Sequence, residues 1–237
     1  MHTLVNYALN DGVASITLDD GKANALGLLM LGELGSALNR AQAEKAAVVV
    51  LSGRPGMFSG GFDLAAFKRG PEELVQMLQA GAALGERLLS LPLPVLAVCS
   101  GHAIAMGAFL LLSCDQRIGV DQGARIQVNE VQNGMTLPRF AIELCRQRLS
   151  PAHFNLATLT SKVYAPADAV VAGFLDEVVA PDALGATAQS RALALKGLNA
   201  EAFAASKLRV HGAALVALRS AIVEDSAEWA QRFAAGA

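Results

Sequence analysis

Two glycine-bearing segments of the chain could hold a negatively charged ligand atom with main-chain N–H groups. The first, MFSGGFDL, covers residues 57–64, and the second, GHAIAMGAF, covers residues 101–109. Paired glycines such as Gly60 and Gly61 let the backbone turn sharply and come close to a ligand. The second segment leads into a predicted helix, and the free N–H groups at a helix start favour negative charge. Each segment alone also suits a tight strand-to-helix turn or a closely packed buried helix.

Glu130, in the segment QVNE at residues 127–130, is the carboxylate to which the family resemblance described below assigns proton transfer. A carboxylate with apolar neighbours has a raised pKa and can take and return a proton near neutral pH. From the residues alone, a solvated turn glutamate beside Asn133 and Gly134 is the simpler interpretation.

The other polar candidates are weaker. Ser59 has no base placed beside it by a recognisable pattern, which argues against a nucleophilic role. The histidines lie apart, without acidic or cysteine neighbours at metal-ligand spacing, so no metal site is expected.

The composition favours a folded domain that handles small molecules. The chain has 237 residues, 53% of them hydrophobic and 17% charged, so we expect a sizeable core and no disorder. A net charge of −2 without a Lys/Arg cluster argues against nucleic acid or an anionic membrane as the partner. With an aromatic share of only 5%, small aliphatic residues must fill the core, and apolar surface is left for subunit contacts.

The cellular compartment is predicted from the cysteines and the apolar runs. Cys99, Cys114 and Cys145 sit in apolar stretches without metal-like spacing, which favours reduced, buried thiols. No charged and apolar leader pattern is seen at the start of the sequence, and the longest apolar run, Ala103–Ser113, is too short to span a bilayer. We therefore expect a cytoplasmic protein.

Hydrophobic patterning predicts alternating strands and helices. Strands are predicted at Leu4–Leu9, Val13–Leu18, Ala46–Leu51, Val95–Cys99, Arg117–Val120 and Leu175–Val179. Helices are predicted at Ala25–Ala43, Glu72–Leu91 and Met106–Ser113, with a mostly helical chain from Pro138 and an Ala-rich helical tail over Ser190–Gly236. Asp11-Gly12 between the first two strands predicts a hairpin. The element order predicts an α/β fold with crossover connections.

Taken together, these segments resemble the enoyl-CoA hydratase/isomerase, or crotonase, superfamily over almost the whole chain. The matching pieces are ASITL at 14–18, KANAL at 22–26, SGRPGMFSGGFDL at 52–64, GHA at 101–103, SCD at 113–115, NE at 129–130 and ADAVVAGFLD at 167–176. Their order and spacing are specific in combination.

The resemblance implies a fold and an assembly. The fold would be α/β, a spiral of repeated β-β-α units followed by a helical C-terminal region. Residues 1–190 would form the core with the acyl-CoA site, and residues 191–237 a helical region that joins subunits. Relatives assemble through those helices, so a homotrimer or a dimer of trimers is expected.

The resemblance also implies the roles of three residues. In the superfamily two backbone N–H groups bind the thioester carbonyl oxygen, and these positions fall on Phe62 and Met106. Met106 stands where many relatives carry glycine, so the amide is kept and a side chain is added. Glu130 aligns with a catalytic glutamate. Coenzyme A enters as part of the acyl-CoA substrate, and no separate cofactor is implied.

Further residues around the two segments are expected to bind the acyl group or CoA. They are Lys22, Ser59, Gly60, Gly61, Asp63, Leu64, Ala65, Phe67, Ala105, Gly107 and Phe109. Asp63 is also predicted to cap the following turn. Lys22, Lys68, Arg69 and Lys207 are candidates for the CoA phosphates, and an ordinary surface role explains each equally well. The helix Glu72–Leu91 is expected to influence acyl-chain specificity.

The acid/base pattern indicates the reaction. Hydratases of the superfamily use two glutamates around a water, and the first of these positions is Phe109, whose ring can neither transfer a proton nor hold a water. This pattern resembles the Δ3,Δ2-enoyl-CoA isomerases, so a double-bond shift with Glu130 as the single base is expected, in fatty-acid or related acyl-CoA metabolism. The alternatives are a hydratase or other crotonase activity on an unusual acyl-CoA, a non-catalytic acyl-CoA binding subunit, and an α/β protein without a link to CoA.

Overall fold

The computed structural model describes residues 3–234 and has an α/β fold. Its strands are β1 (Val5–Asn10), β2 (Val13–Leu18), β3 (Ala25–Leu26), β4 (Val48–Gly53), β5 (Gly56–Ser59), β6 (Gly61–Phe62), β7 (Val95–Cys99), β8 (Gly101–Ile104), β9 (Gln116–Val120), β10 (Ile126–Gln127) and β11 (Glu177–Val179). Its helices are α1 (Leu28–Ala43), α2 (Ala66–Arg69), α3 (Pro71–Ser90), α4 (Met106–Leu112), α5 (Arg139–Arg148), α6 (Pro151–Thr160), α7 (Pro166–Ala172), α8 (Leu184–Lys196), α9 (Ala200–Val210) and α10 (Gly212–Ala234).

The architecture repeats a unit of two strands and a helix, as the crotonase-like spiral predicts. The first strands of successive units pair in parallel in a large sheet of order β1-β2-β4-β7-β9-β11, in which only β1 is antiparallel to its neighbour. The second strands pair in parallel in a small sheet of order β10-β8-β5. The units that begin with β4, β7 and β9 therefore each add one strand to both sheets, whereas β3 pairs with β6 in a separate two-stranded sheet.

The central strands of the large sheet, such as β7, are buried on both faces, which explains their continuous apolar sequences. Along β4, Val48 belongs to the core under α8, whereas Val49 belongs to the main core on the other face. All five residues of β7 are buried. Residue 190 lies within α8, so this helix crosses the predicted 190/191 division, which stays a prediction.

The predicted hairpin at the start of the chain is confirmed. β1 and β2 are antiparallel with Asn10 opposite Val13, and Asp11 and Gly12 both have positive φ, at 46° and 74°. Two positive φ values are what a two-residue hairpin turn requires.

The prediction of a helix from Ala25 is wrong in its first residues, because Ala25–Leu26 forms strand β3 and pairs with β6. The buried Asn24 just before it has a φ of 50°, and its side-chain amide donates to the carbonyls of Leu18 and Phe58. These distant partners, invisible in the local pattern, hold the chain extended until α1 begins at Leu28. The two glycine-bearing segments also contain short strands, β5, β6 and β8, where turns were expected.

The C-terminal helices fold back on their own chain. α10 packs against α3 and α5. All three cysteines are free and buried, as predicted. Over residues 3–234, every helix is too short or too polar to cross a bilayer.

Candidate active site

A cavity of about 180 Å³ opens where the two glycine-bearing segments meet. Its lining combines residues that the sequence analysis predicted with residues that it did not. The predicted ones are Gly60, Phe62, Leu64, Phe67, Ala105, Phe109 and Glu130. The others are Leu78, Asn129, Asn133, Met135, Thr136, Pro138, Trp229 and Arg232. Seven of the fourteen predicted site residues are therefore brought together around one space.

Glu130 is the one carboxylate among the described residues that line this cavity. It is only 6% exposed, and its Oε2 has no hydrogen-bond partner among the residues described. Burial raises the pKa of Glu130 to about 7, against the opposing effect of the backbone N–H groups of Asn129 and Glu130. The expectation of a raised pKa is confirmed, and the simpler interpretation of a solvated turn residue is wrong.

A turn holds Glu130 in this position. The carbonyl oxygen of Glu130 accepts hydrogen bonds from the N–H groups of Asn133 at 3.0 Å and Met135 at 2.9 Å. The chain thereby reverses directly after Glu130 and brings Asn133 and Met135 to the same cavity.

The two glycine-bearing segments touch at Gly61. This residue has a φ of 95°, and a methyl group in its place would lie 2.9 Å from the Ala105 Cβ and 3.4 Å from the Met106 backbone nitrogen. On the other segment, a methyl group at Gly107 would lie 2.4 Å from the Ser59 carbonyl oxygen. Only glycine permits such close contact at both positions. Ala105 and Gly107, the residues on either side of Met106, are therefore packed against the first glycine-bearing segment.

Ala105 enters α4 in a conformation that non-glycine residues rarely adopt, with a φ of 51° and a ψ of −121°. Its N–H donates to the Gln127 carbonyl at 2.8 Å, and its carbonyl accepts from the Phe109 N–H at 3.1 Å. Backbone strain of this kind persists only where the surroundings enforce it, and it clusters at functional sites. Met106 follows as the first residue of α4, so its N–H is not used within the helix.

Some predicted site residues shape the bends instead of facing the cavity. Ser59 is fully buried, and its hydroxyl donates to the Asn24 carbonyl at 2.8 Å and accepts from the Gly61 N–H at 3.2 Å. Met106 is fully buried as well, and its side chain packs beside Gly81 of α3, outside the cavity lining. The methionine side chain therefore does not narrow the cavity directly.

Asp63, Ala65 and Lys22 lie outside the cavity lining. Asp63 accepts the Ala65 N–H at 3.0 Å, which confirms the predicted capping role. It also pairs with Arg69 at 2.7 Å, and this guanidinium holds the pKa of Asp63 below its usual value. Arg69 is in turn bonded to Glu73 at 2.7 Å. Lys22 is exposed.

Lys207 was a candidate for the CoA phosphates, and this prediction is wrong. The residue is buried, and its Nζ donates to the Asp115 carboxylate at 2.7 Å and to the Leu93 carbonyl at 3.3 Å. These two contacts link α9 to the residues just before strands β7 and β9. The ammonium group therefore does not reach a surface where a phosphate could bind.

Several cavity residues had no signal in the sequence. Trp229 and Arg232 come from α10, and Met135, Thr136 and Pro138 follow the turn after Glu130. An amphipathic pattern marks such residues only as buried and not as facing a ligand. Leu78 belongs to α3, the helix that was expected to influence acyl-chain specificity. Among residues 3–234, no three His, Cys, Asp or Glu side chains are grouped so that they could hold a metal ion.

Comparison with known proteins identifies the family. A family model described as enoyl-CoA hydratase/isomerase matches residues 8–231, nearly the whole chain. The chain belongs to the enoyl-CoA hydratase/isomerase family. Its α/β spiral is the fold of this superfamily.

Individual relatives of this family member carry both names. It is similar to a solved Mycobacterium tuberculosis protein that is described both as an enoyl-CoA isomerase and as a probable enoyl-CoA hydratase, with 41% identity, a TM-score of 0.92, and coverage of 96% of this chain and 100% of that one. It is similar to an enoyl-CoA hydratase from Mycobacterium marinum, with 39% identity, a TM-score of 0.91, and coverage of 95% and 99%.

Among curated proteins, it is similar to human mitochondrial enoyl-CoA delta isomerase 1, with 29% identity over 191 residues, which are 79% of this chain. The match spans 63% of the human protein's length. These similarities show the family, and the choice between isomerisation and hydration must come from the site.

Proposed function

We propose that this family member moves the double bond of an enoyl-CoA thioester from Δ3 to Δ2, with Glu130 as the single acid/base group. One observation carries the proposal. Glu130 is the one carboxylate among the described lining residues, whereas Phe109 lines the same cavity where a second proton-transfer group would be needed for hydration. The similarity to human mitochondrial enoyl-CoA delta isomerase 1 supports the same choice.

The proposed reaction needs only one carboxylate. Glu130 removes a proton from C2 of the 3-enoyl thioester, and the electron pair moves to the carbonyl oxygen to give a dienolate. Protonated Glu130 then returns the proton to C4, and the double bond ends between C2 and C3. No atom is gained or lost. A group with a pKa of about 7 is suited to both steps, because it is a base and an acid near neutral pH.

The dienolate oxygen would be stabilised by the backbone N–H groups of Phe62 and Met106. Their positions support this role, because Gly61, next to Phe62, packs against Ala105 and the Met106 nitrogen. The strained φ of Ala105 and the start of α4 orient the second amide. Each donor of such an oxyanion hole contributes on the order of 3 kcal/mol to transition-state stabilisation.

Hydration is the second candidate function. Asn129, Asn133 and Thr136 line the cavity with Glu130, and their polar side chains are able to hold a water beside the substrate. In hydration, the water attacks one carbon of the double bond and the proton is added to the other. A single carboxylate is poorly placed to assist both steps.

We also propose a homotrimer or a dimer of trimers in a reducing cytoplasm. Val210, Val216 and Val223 near the C-terminus are 77%, 71% and 70% exposed, and a subunit contact would cover such side chains. Free, buried cysteines suit a reducing compartment. Sedimentation analysis of the purified protein measures the assembly, and a monomer at micromolar concentration would contradict it.

The deciding experiment offers purified protein 3-hexenoyl-CoA and, separately, 2-hexenoyl-CoA. We expect the first to be converted to the 2-enoyl thioester and the second to gain little or no water. Glu130→Gln should lower kcat by about 100-fold or more, because general acid–base catalysis contributes at least this much.

Glu143→Gln is the matched control, since Glu143 lies outside the cavity lining and pairs with Arg146. Rapid hydration without a double-bond shift would favour the hydratase instead. Binding of the thioesters without any turnover would indicate a non-catalytic acyl-CoA binding protein.

A further inference from the structure

We propose that Trp229 limits the length of the acyl group, so that the substrate is an acyl-CoA with a short acyl chain. The inference rests on the proposed function only in that the cavity around Glu130 receives the acyl group. Trp229 lies on α10, is 7% exposed and lines this cavity together with Leu78 and Phe109. Its indole is part of the cavity wall contributed by α10, and Pro138, the residue just before α5, lines the same cavity.

Asp225 holds α10 in the position that makes this wall. Its carboxylate accepts hydrogen bonds from the backbone N–H groups of Arg139 at 3.0 Å and Phe140 at 2.8 Å. These N–H groups belong to the first turn of α5 and have no partner within that helix. Asp225 is 2% exposed, so movement of α10 would leave a buried carboxylate and two N–H groups without partners.

The same interaction positions the indole. Asp225 and Trp229 are four residues apart and lie on one face of α10. The hydrogen bonds from the start of α5 to Asp225 therefore also hold Trp229 of α10 against the cavity. The ion pair of Arg139 with Glu228, at 2.6 Å, adds a second link between the two helices.

Aromatic packing makes this wall rigid. Phe109 and Phe140 meet edge to face with their centroids 6.0 Å apart, and Phe140 meets Trp229 in the same way at 6.2 Å. Phe140 is fully buried. Because the indole packs on the fully buried ring of Phe140, a ligand that pushes the indole aside must break this contact.

The size of the cavity then limits the ligand. Its volume is about 180 Å³, and an apolar protein cavity of about 150 Å³ holds one benzene molecule. The space therefore accommodates an acyl group of roughly six carbons. A longer chain meets the indole, whereas in an open apolar channel each added methylene would tighten binding by roughly fourfold.

The test measures dissociation constants of saturated butanoyl-, hexanoyl-, decanoyl- and dodecanoyl-CoA by calorimetry. We expect wild-type affinity to rise from butanoyl to hexanoyl and to fall by about tenfold or more at dodecanoyl, because the longer chain must displace the indole. In Trp229→Ala and Trp229→Leu, dodecanoyl-CoA should bind at least as tightly as hexanoyl-CoA. The leucine variant keeps an apolar side chain and serves where the alanine variant does not fold.

Gln231→Ala is the matched control on the same helix, since Gln231 is exposed and lies outside the cavity lining. It should keep the wild-type length profile. The inference is overturned if wild type binds dodecanoyl-CoA more tightly than hexanoyl-CoA, or if folded Trp229→Leu keeps the wild-type profile. Saturated thioesters cannot isomerise, so the binding test is independent of the proposed reaction. A chain-length limit in binding without turnover of 3-hexenoyl-CoA would reject only the isomerase proposal. Turnover of 3-hexenoyl-CoA without a chain-length limit would reject only this inference.

Discussion

The ring of Phe62 lies directly against the backbone of Gly81 in α3. A methyl group at position 81 would lie 2.4 Å from the Phe62 Cε1 and 2.5 Å from its Cζ, closer than side chains pack in proteins. The Phe62 ring can occupy its position at the cavity only because residue 81 has no side chain. Since the Phe62 amide is one of the two proposed oxyanion donors, this contact links helix α3 to the reacting centre.

Gly81→Ala should lower kcat/KM by roughly tenfold, because the forced shift of the Phe62 ring displaces the cavity wall and the backbone beside it. A glycine-to-alanine change in a helix interior would otherwise stabilise the protein by about 1 kcal/mol. Gly32→Ala in α1 is the control, since no atom lies within 4 Å of the added methyl group. It should raise the free energy of unfolding and leave kcat/KM unchanged. Steady-state kinetics and denaturant unfolding measure both effects, and an unchanged kcat/KM in Gly81→Ala would contradict the role of this contact.

The activity should depend on pH through one group. Burial raises the pKa of Glu130 to about 7, so the carboxylate that must accept the C2 proton is protonated below this pH. We expect kcat/KM to rise with pH and to level off above an apparent pKa near 7. The profile is measured with 3-hexenoyl-CoA from pH 5 to 9. A kcat/KM that stays constant across this range would show that another group, or none, is titrating.

Glu130→Gln should stabilise the protein at alkaline pH. The pKa of Glu130 is higher in the folded chain than in the unfolded chain, so the folded state binds the proton more tightly. The stability that this provides is fully present below pH 4.5 and is lost as the pH rises through about 7. At pH 8 the glutamine variant should therefore be more stable than wild type by up to about 3 kcal/mol, and the advantage should disappear near pH 4. Urea unfolding at pH 4 and pH 8 measures the difference in the free energy of unfolding between the glutamine variant and wild type. An equal difference at both pH values would contradict the raised pKa of Glu130.

Lys207→Met should destabilise the fold without weakening CoA binding. The Lys207 side chain is 2% exposed and pairs with Asp115, and removing one partner of a buried ion pair costs roughly 3 kcal/mol. Because Lys207 is not at a surface that CoA could reach, the KM for the thioester should change by less than about twofold. The exposed Lys22 provides the comparison, since Lys22→Met should leave the free energy of unfolding nearly unchanged. A rise in KM for Lys207→Met with unchanged stability would restore Lys207 as a CoA contact.

The local part of the site was predictable from the sequence. Gly60 and Gly61 indicated a sharp bend, the segment around Met106 indicated a helix start, and Asp11-Gly12 indicated a hairpin. Each of these features depends on residues that are neighbours in the chain, so the pattern contains the necessary information. The order of strands and helices then predicted the crossover topology that the structure has.

Three features depended on contacts between distant parts of the chain. Ala25–Leu26 is extended because it pairs with β6, and Lys207 is buried because Asp115 neutralises it. Trp229 lines the cavity because Asp225 fastens α10 to α5. Residues of the same types occur in ordinary helices and on ordinary surfaces, so their local patterns are compatible with several environments.

Glu130 shows most clearly which properties follow from the sequence and which require the tertiary structure. The sequence by itself determined that a carboxylate follows Asn129 in a turn, and the resemblance indicated proton transfer. Only the tertiary structure decided that this carboxylate is buried beside Phe109 with an unpartnered oxygen and a pKa near 7. The physical reason is that desolvation depends on every element packed around a group, whereas a sequence pattern describes only the element to which the group belongs.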